Sequence, residues 1–222
     1  MTKKRKIDMK QIAPSVLSAD FGHLAEQVEA INQSPASLLH VDVMDGVFVP
    51  NISFGFPVME ALRKHSTKPL DVHLMIVHPE KYVERFCDAG AWSVGFHLEA
   101  VDDPTEALEL IRKKGVRSCL TINPDIDVKR LDPWLDKVDM VLIMSVFAGF
   151  GGQKFIDATF DKIRYVRSEI TRRGLQTLIE VDGGVNVENA PLLFEAGADI
   201  LVAGSAVFHA EDMSEAIRQM LR

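Results

Sequence analysis

Cysteine is scarce in this 222-residue chain. Cys87 and Cys119 are the two present, too few for a disulfide scaffold or a Cys-rich zinc module and in keeping with a reduced, cytoplasmic protein. Basic residues are outnumbered, 25 Lys and Arg against 32 Asp and Glu for a net charge of −7. That balance argues against a general binder of nucleic acid or anionic membranes, since both need a net basic face. No stretch reaches the roughly 18 uninterrupted apolar residues of a membrane span. The basic start over residues 1–10 is followed by no apolar export segment, and its Lys3-Lys4-Arg5-Lys6 run reads as a solvated tail. Linkers and low-complexity tracts are also missing. What is present is a 47% hydrophobic composition, enough for one large core. The expectation is a short basic extension over 1–10 and a single domain over 11–222.

Short apolar runs ending in polar residues or glycine recur along the chain, each followed in most cases by an amphipathic stretch, which is the signature of βα alternation. Strands are predicted at 11–16, 38–44, 70–75, 93–96, 118–122, 140–145, 177–181 and 200–203. Helical spacing follows the first strand at Phe21, Leu24, Val28 and Ile31, with Ser18 or Asp20 as the cap, and recurs at Val58-Met59-Leu62 and Tyr82-Val83-Phe86. Gly90, Gly115 and Gly197 fall where a helix must stop before the next strand. Eight such units in about 200 residues suit a (β/α)8 TIM barrel near the small end of its range better than an open doubly wound sheet. In a barrel of this kind the chemistry sits at the C-terminal ends of the strands.

Those ends are rich in titratable groups. Alternation along His40-Val-Asp-Val-Met44 puts His40, Asp42 and Met44 on one face, with Val41 and Val43 toward the helices. The next run repeats the pattern with Asp71, His73 and Met75. Singly, each histidine reads as a satisfied interior residue and each aspartate as a cap or an arginine partner. Two histidines and an aspartate aimed into one barrel mouth are costly to bury unless a metal or a charge network holds them, and their spacing permits a divalent cation. The seventh run ends Glu180-Val-Asp182-Gly-Gly, and parity leaves open whether Glu180 or Asp182 is the acid at the rim.

Glycines cluster after the last three strands, at Gly149-Phe150-Gly151-Gly152, Gly183-Gly184 and Gly204-Ser205. One Gly-Gly is usually a turn. Three clusters on consecutive barrel loops point to backbone N–H groups gripping a phosphate, an attraction that an acidic protein can still exert through oriented amides. No lysine falls within a predicted strand, which disfavours a Schiff-base aldolase.

Taken together and in order, Ile12-Ala-Pro-Ser-Val-Leu-Ser-Ala-Asp-Phe21, His40-Val-Asp-Val-Met-Asp-Gly-Val-Phe-Val-Pro-Asn51, Asp71-Val-His-Leu-Met75, Gly149-Phe-Gly-Gly-Gln153, Glu180-Val-Asp-Gly-Gly-Val185 and Ala203-Gly-Ser205 resemble the ribulose-phosphate 3-epimerase family. The likeness runs from Ile12 to near the C-terminus, and the residues before it extend beyond the family's usual start. It implies a metal-dependent (β/α)8 enzyme interconverting D-ribulose 5-phosphate and D-xylulose 5-phosphate in the pentose phosphate pathway. His40, Asp42, His73 and Asp182 would be ligands to one divalent ion per subunit, with Asp42 and Asp182 also the acid/base pair, which favours Asp182 over Glu180. Ser15 and His73 would touch substrate, and Met44, Met75 and Met144 would line the site. Gly149, Phe150, Gly151, Gly152, Gly183, Gly184, Gly204 and Ser205 would hold sugar and phosphate. Core packing is the ordinary role of such methionines, and a strand-end turn that of Ser15. One departure is visible, Phe147-Ala148 where the family carries Asn-Pro or Glu-Pro, and it bears on the sugar's fit.

The implied chemistry is removal of the C3 proton beside the C2 ketone by Asp42, an enediolate, and return of a proton on the other face by Asp182. A His2Asp2 set suits Zn, Fe, Mn or Co. A 3-epimerase of a hexulose 6-phosphate such as allulose 6-phosphate would keep the metal and alter the sugar pocket. A non-catalytic phosphate-binding barrel would bind without C3 exchange. The orotidine-phosphate decarboxylase and hexulose-phosphate synthase group is disfavoured, because its Asp-x-Lys-x-x-Asp pattern meets His73 and Ile76 here. A homo-oligomer is expected.

Overall fold

A computed structural model describes residues 10–222; of the basic extension expected over 1–10, all but Lys10 lies outside the described residues. Eight parallel strands form one sheet: β1 (Gln11–Pro14), β2 (Leu39–Met44), β3 (Leu70–Met75), β4 (Ala91–His97), β5 (Arg117–Ile122), β6 (Met140–Met144), β7 (Leu178–Asp182) and β8 (Ile200–Ala203). Sequence neighbours pair from β2 to β8, and β8 returns to β1. The last seam, between β1 and β2, is closed by a parallel bridge at Ser15 and His40. This is a nearly closed TIM barrel.

Helices cover the outside: α1 (Leu24–Asn32), α2 (Phe56–His65), α3 (Val83–Asp88), α4 (Thr105–Lys113), α5 (Thr159–Arg173), α6 (Ala190–Ala196), α7 (Ser205–Phe208) and α8 (Met213–Met220). The β5 unit departs from the expected alternation, closing with a four-residue 3-10 helix, Val128–Leu131. Pro124 and Pro133 bracket that segment and Asp125, Asp127 and Asp132 populate it, removing donors and competing for backbone groups that a longer helix would need.

Local boundaries follow from capping. The first strand ends before its expected limit because Ser15 caps a short turn, accepting from Leu17 N at 3.3 Å. Asp20, rather than Ser18, caps the next turn through Gly22 N at 2.9 Å. Of the stripe that follows, Val28 and Ile31 are buried, whereas Phe21 is half exposed and rests on Phe54. Tyr82 likewise stays 43% exposed while Val83 and Phe86 enter the core.

Two apolar clusters divide the strands by parity. Val41, Val43, Val72, Leu74, Val141, Ile143, Ile179 and Val181 face the helices in the larger one. Inside the barrel, Ala13, Cys119, Met140, Leu142, Ile200 and Val202 form a second, centred on β1, β5, β6 and β8. The interior of β2, β3, β4 and β7 is instead polar, and that polar half carries the site.

Candidate functional site

Register sets the polar half side by side. In the β2–β3 ladder His40 pairs with Asp71, Asp42 with His73 and Met44 with Met75, so alternating inward residues form two layers below a methionine rim. At the far side Met144 pairs with Asp182 and Leu142 with Glu180.

The upper layer holds His40, Asp42, His73 and Asp182, each able to bring one ligand atom within 4.8 Å of all the others. His40 Nε2 lies 3.3 Å from Asp42 Oδ1 and, although buried, has no hydrogen-bond partner. An orphaned imidazole nitrogen beside two carboxylates and a second imidazole is what a divalent cation would satisfy, so the residues present fit such an ion. The other nitrogen of His40 is tied down, Nδ1 lying 2.7 Å from Asp71 Oδ2. Asp42 Oδ2 accepts from Ser15 Oγ at 2.5 Å, and Asp42 Oδ1 lies 3.0 Å from His73 Nδ1.

The lower layer is His40, Asp71 and Glu180, all buried. Ser93 Oγ hydrogen-bonds Asp71. Burial together with the Asp71 charge pushes Glu180 well above the ordinary carboxylate range, which favours its protonated, neutral form. Its parity with Asp182 is as expected, but Glu180 sits one layer deeper and out of the cleft. Burial alone would raise Asp71 too, yet the hydrogen bond and charge of His40 outweigh that and hold it low.

The two rim acids are driven apart. Burial pushes Asp42 up, but His40 and His73 outweigh it and hold its carboxyl far below the usual range. Asp182 is raised by burial and by the Asp42 charge to about 7. Within this set of side chains Asp42 is therefore favoured as the ionised carboxyl and Asp182 as the one that takes up a proton near neutral pH, the division of roles an acid/base pair requires. The backbone at Asp182 is fixed by Ser145, whose N–H donates to Asp182 O at 2.7 Å and whose hydroxyl lies 2.8 and 2.6 Å from Asp182 O and Gly183 O.

Above this lies a narrow cleft of about 60 Å³ that opens to solvent. Its walls bring together Ser15, Asp42, Met44, Met75, Met144, Asp182 and every expected glycine-loop residue: Gly149, Phe150, Gly151, Gly152, Gly183, Gly184, Gly204 and Ser205. His40 and His73 lie beneath its floor, 0% and 1% exposed. The glycines also have local reasons to be glycine. Gly183 and Gly184 take φ of +119° and +63°, and a Cβ would run into Val146 at the first and reach 2.6 Å from Phe155 N at the second. At Gly204 a Cβ would meet Ser18 Oγ at 2.5 Å.

Several neighbours were not singled out from the sequence. His97 sits behind His73, with Glu99 and Asn123 behind it. Strand parity already contained this signal, since Ser93, Gly95 and His97 alternate inward along β4. Asn123 also explains the Phe147-Ala148 departure: Ala148 N–H donates to Asn123 Oδ1 at 3.0 Å, a bond a proline there could not make. Asn51 Nδ2 to Gly149 O and Gln153 Nε2 to Phe147 O and Phe150 O tether the rest of that loop.

Comparison with known proteins identifies the family. The model of the ribulose-phosphate 3 epimerase family matches residues 11–208. The ribulose-phosphate 3-epimerase of Bacillus subtilis is 45% identical over 213 residues, covering 96% of this chain and 98% of that protein. That of Synechocystis is 48% identical over 93% of this chain and 90% of its own length, and that of Escherichia coli K12 is 44% identical over 96% of each. Among solved structures, a tryptophan synthase α-subunit mutant from Pyrococcus furiosus superposes with a TM-score of 0.71 at 16% identity, covering 97% of this chain and 98% of that one, a likeness of fold alone. With a family match across nearly the whole barrel and identities near 45% to curated members, the chain belongs to the ribulose-phosphate 3-epimerase family.

Proposed function

We propose that this chain inverts C3 of a ketose phosphate, interconverting D-ribulose 5-phosphate and D-xylulose 5-phosphate, with Asp42 and Asp182 as the proton-transfer pair. The observation that carries this reading is that Asp42 and Asp182 line one cleft with the glycine loops and close on the same histidine pair, Asp42 held low by His40 and His73 and Asp182 raised by burial. His40, Asp42, His73 and Asp182 are the residues that would hold a divalent cation, and a Zn, Fe, Mn or Co ion there supplies Lewis acidity that makes the hydrogen beside the ketone easier to remove. Ionised Asp42 takes the C3 proton from one face, leaving a planar enediolate, and protonated Asp182 returns a proton from the other. Ser15 donates to Asp42 at 2.5 Å and orients the carboxylate for that transfer. The methionines exclude water without offering a competing base.

The glycine loops and Ser205 are read as the grip on the phosphate, which holds C3 against the acids through remote binding. Both thiols are free and buried, in keeping with a cytoplasmic enzyme, and among the described residues no helix is long and apolar enough to cross a membrane. A homo-oligomer is supported by the exposed apolar residues Val47, Ile52 and Tyr82 beside the barrel mouth, and light scattering tests it.

The test is turnover of each pentulose 5-phosphate in heavy water, with metal analysis of the same protein before and after chelation. Epimerisation that needs a divalent ion and carries deuterium into C3 is expected. Full activity in verifiably metal-free protein defeats the metal assignment, and faster turnover of a hexulose 6-phosphate reassigns the substrate.

A further inference from the structure

Proton transfer by the two aspartates leaves His97 without a task, yet it is fully buried and built into the site. Its Nε2 lies 2.9 Å from Nε2 of His73, the rings stacked with centroids 5.0 Å apart, and Phe48 covers its other side. Two facing imidazole nitrogens need one proton between them, because two lone pairs or two N–H groups repel. With one proton per ring the pair therefore has two arrangements. In the first, His97 Nε2–H donates to His73 Nε2 and His73 Nδ1–H donates to Asp42, 3.0 Å away. In the second, His73 Nε2–H donates to His97 Nε2, the His97 proton sits on Nδ1, and His73 Nδ1 presents a bare lone pair to the cluster. Only the second leaves His73 able to bind a cation.

The far end of the pair decides between them. His97 Nδ1 has Glu99 Oε1 and Asn123 Nδ2 each at 3.5 Å. Asn123 Oδ1 is taken by Ala148 N–H, so its amide turns a donor toward His97 and favours the first arrangement. Glu99 is fixed by Asn123 N–H at 2.9 Å, can only accept when ionised, and carries a full charge at the same distance. Once Asp42 is engaged by a cation, its pull on the His73 proton is gone. We infer that His97, oriented by Glu99, is a positioning residue that holds His73 in the tautomer with an unprotonated Nδ1, an inference that rests on the reading of His73 as a metal ligand.

The test titrates metal-stripped protein with Co(II), followed by visible absorption and equilibrium dialysis, in the wild type and in His97→Phe, His97→Gln, Glu99→Ala and His73→Ala. Circular dichroism monitors folding. Phenylalanine removes the acceptor, and cobalt affinity is expected to fall roughly 10- to 100-fold. Glutamine restores an acceptor near Nε2 and is expected to recover affinity to within about threefold of wild type. In the Zn-loaded wild type, ring 15N shifts should show His73 protonated at Nε2 and bare at Nδ1. Wild-type affinity in folded His97→Phe, or a glutamine variant as weak as the phenylalanine one, overturns the inference. If His97→Phe does not fold, unchanged affinity in Glu99→Ala overturns it instead. Undiminished cobalt binding by His73→Ala removes the ligand assignment itself, and so separates that failure from this one.

Discussion

The two halves of the barrel interior are built on the same strand period and solve opposite problems. On β1, β5, β6 and β8 the inward positions are mostly apolar, Ala13, Cys119, Met140, Leu142, Ile200 and Val202, which need only fill space, with Thr121 the buried polar exception. On β2, β3, β4 and β7 they are His40, Asp42, Asp71, His73, Ser93, His97, Glu180 and Asp182, which must each find a partner for every polar atom. The apolar half gains its stability from removing surface from water. The polar half bears the cost of desolvation and recovers it through short contacts such as His40 with Asp71, leaving His40 Nε2 and Glu180 Oε1 without partners, the first of them where a cation would sit. Function is concentrated where packing alone would have been cheaper.

Asp182→Asn and Asp42→Asn press hardest on this contrast. Each should lower epimerisation about 10²- to 10⁴-fold with little change in thermal stability. Metal content measured alongside separates lost proton transfer from lost cation, and an Asp182→Asn variant that keeps its metal and the wild-type rate eliminates the mechanism. Leu142→Ala tests the other half. It should cost about 2–5 kcal/mol in urea unfolding and leave metal binding intact. A matching loss of metal affinity would mean that the two halves are not independent.

The polar half carries opposing pH dependences: the raised Asp182 takes up its proton more readily folded than unfolded and resists acid, whereas His97 refuses one. Burial holds His97 down from 6.5 to about 4. Between those values the unfolded chain binds the proton that folded His97 refuses, so the stability this residue contributes rises with pH there, and is lost as pH falls from about 6.5 toward 4, by up to about 3 kcal/mol. Urea midpoints at pH 7.5 and 5, compared between wild type and His97→Phe, isolate this contribution, and the variant should lose less stability, or gain more, on acidification than the wild type. An undiminished slope in that variant would assign it to other groups. The smallest effect is expected at the glycine loop, where Ala148→Pro deletes the N–H bonded to Asn123 and should cost about 1 kcal/mol or less while shifting KM more than kcat. Unchanged KM would show that this tether does not shape the sugar's fit.

Strand periodicity and the residues that end each run were enough to give eight strands and the TIM barrel, because side-chain alternation is a property of the extended backbone itself. They also gave His40, Asp42 and His73 as one set, and the family resemblance added Ser15 and Asp182; the cleft and its floor bring all five together. Glu180 and Asp182 share that alternation, so depth in the barrel, which only register with the neighbouring strand fixes, was needed to tell a buried neutral acid from a rim acid. The 3-10 helix after β5 and the exposed positions of Phe21 and Tyr82 depended on local competition for backbone donors and on what packed above them. Asn123 beside Ala148, and Glu99 behind His97, lie 25 and 2 residues apart in sequence, yet serve one network. The sequence by itself determined the period of each element and the chemistry available at each strand end. The tertiary structure alone decided which groups meet and which remain charged, because hydrogen-bond partners and desolvation depend on distances that no spacing along the chain contains.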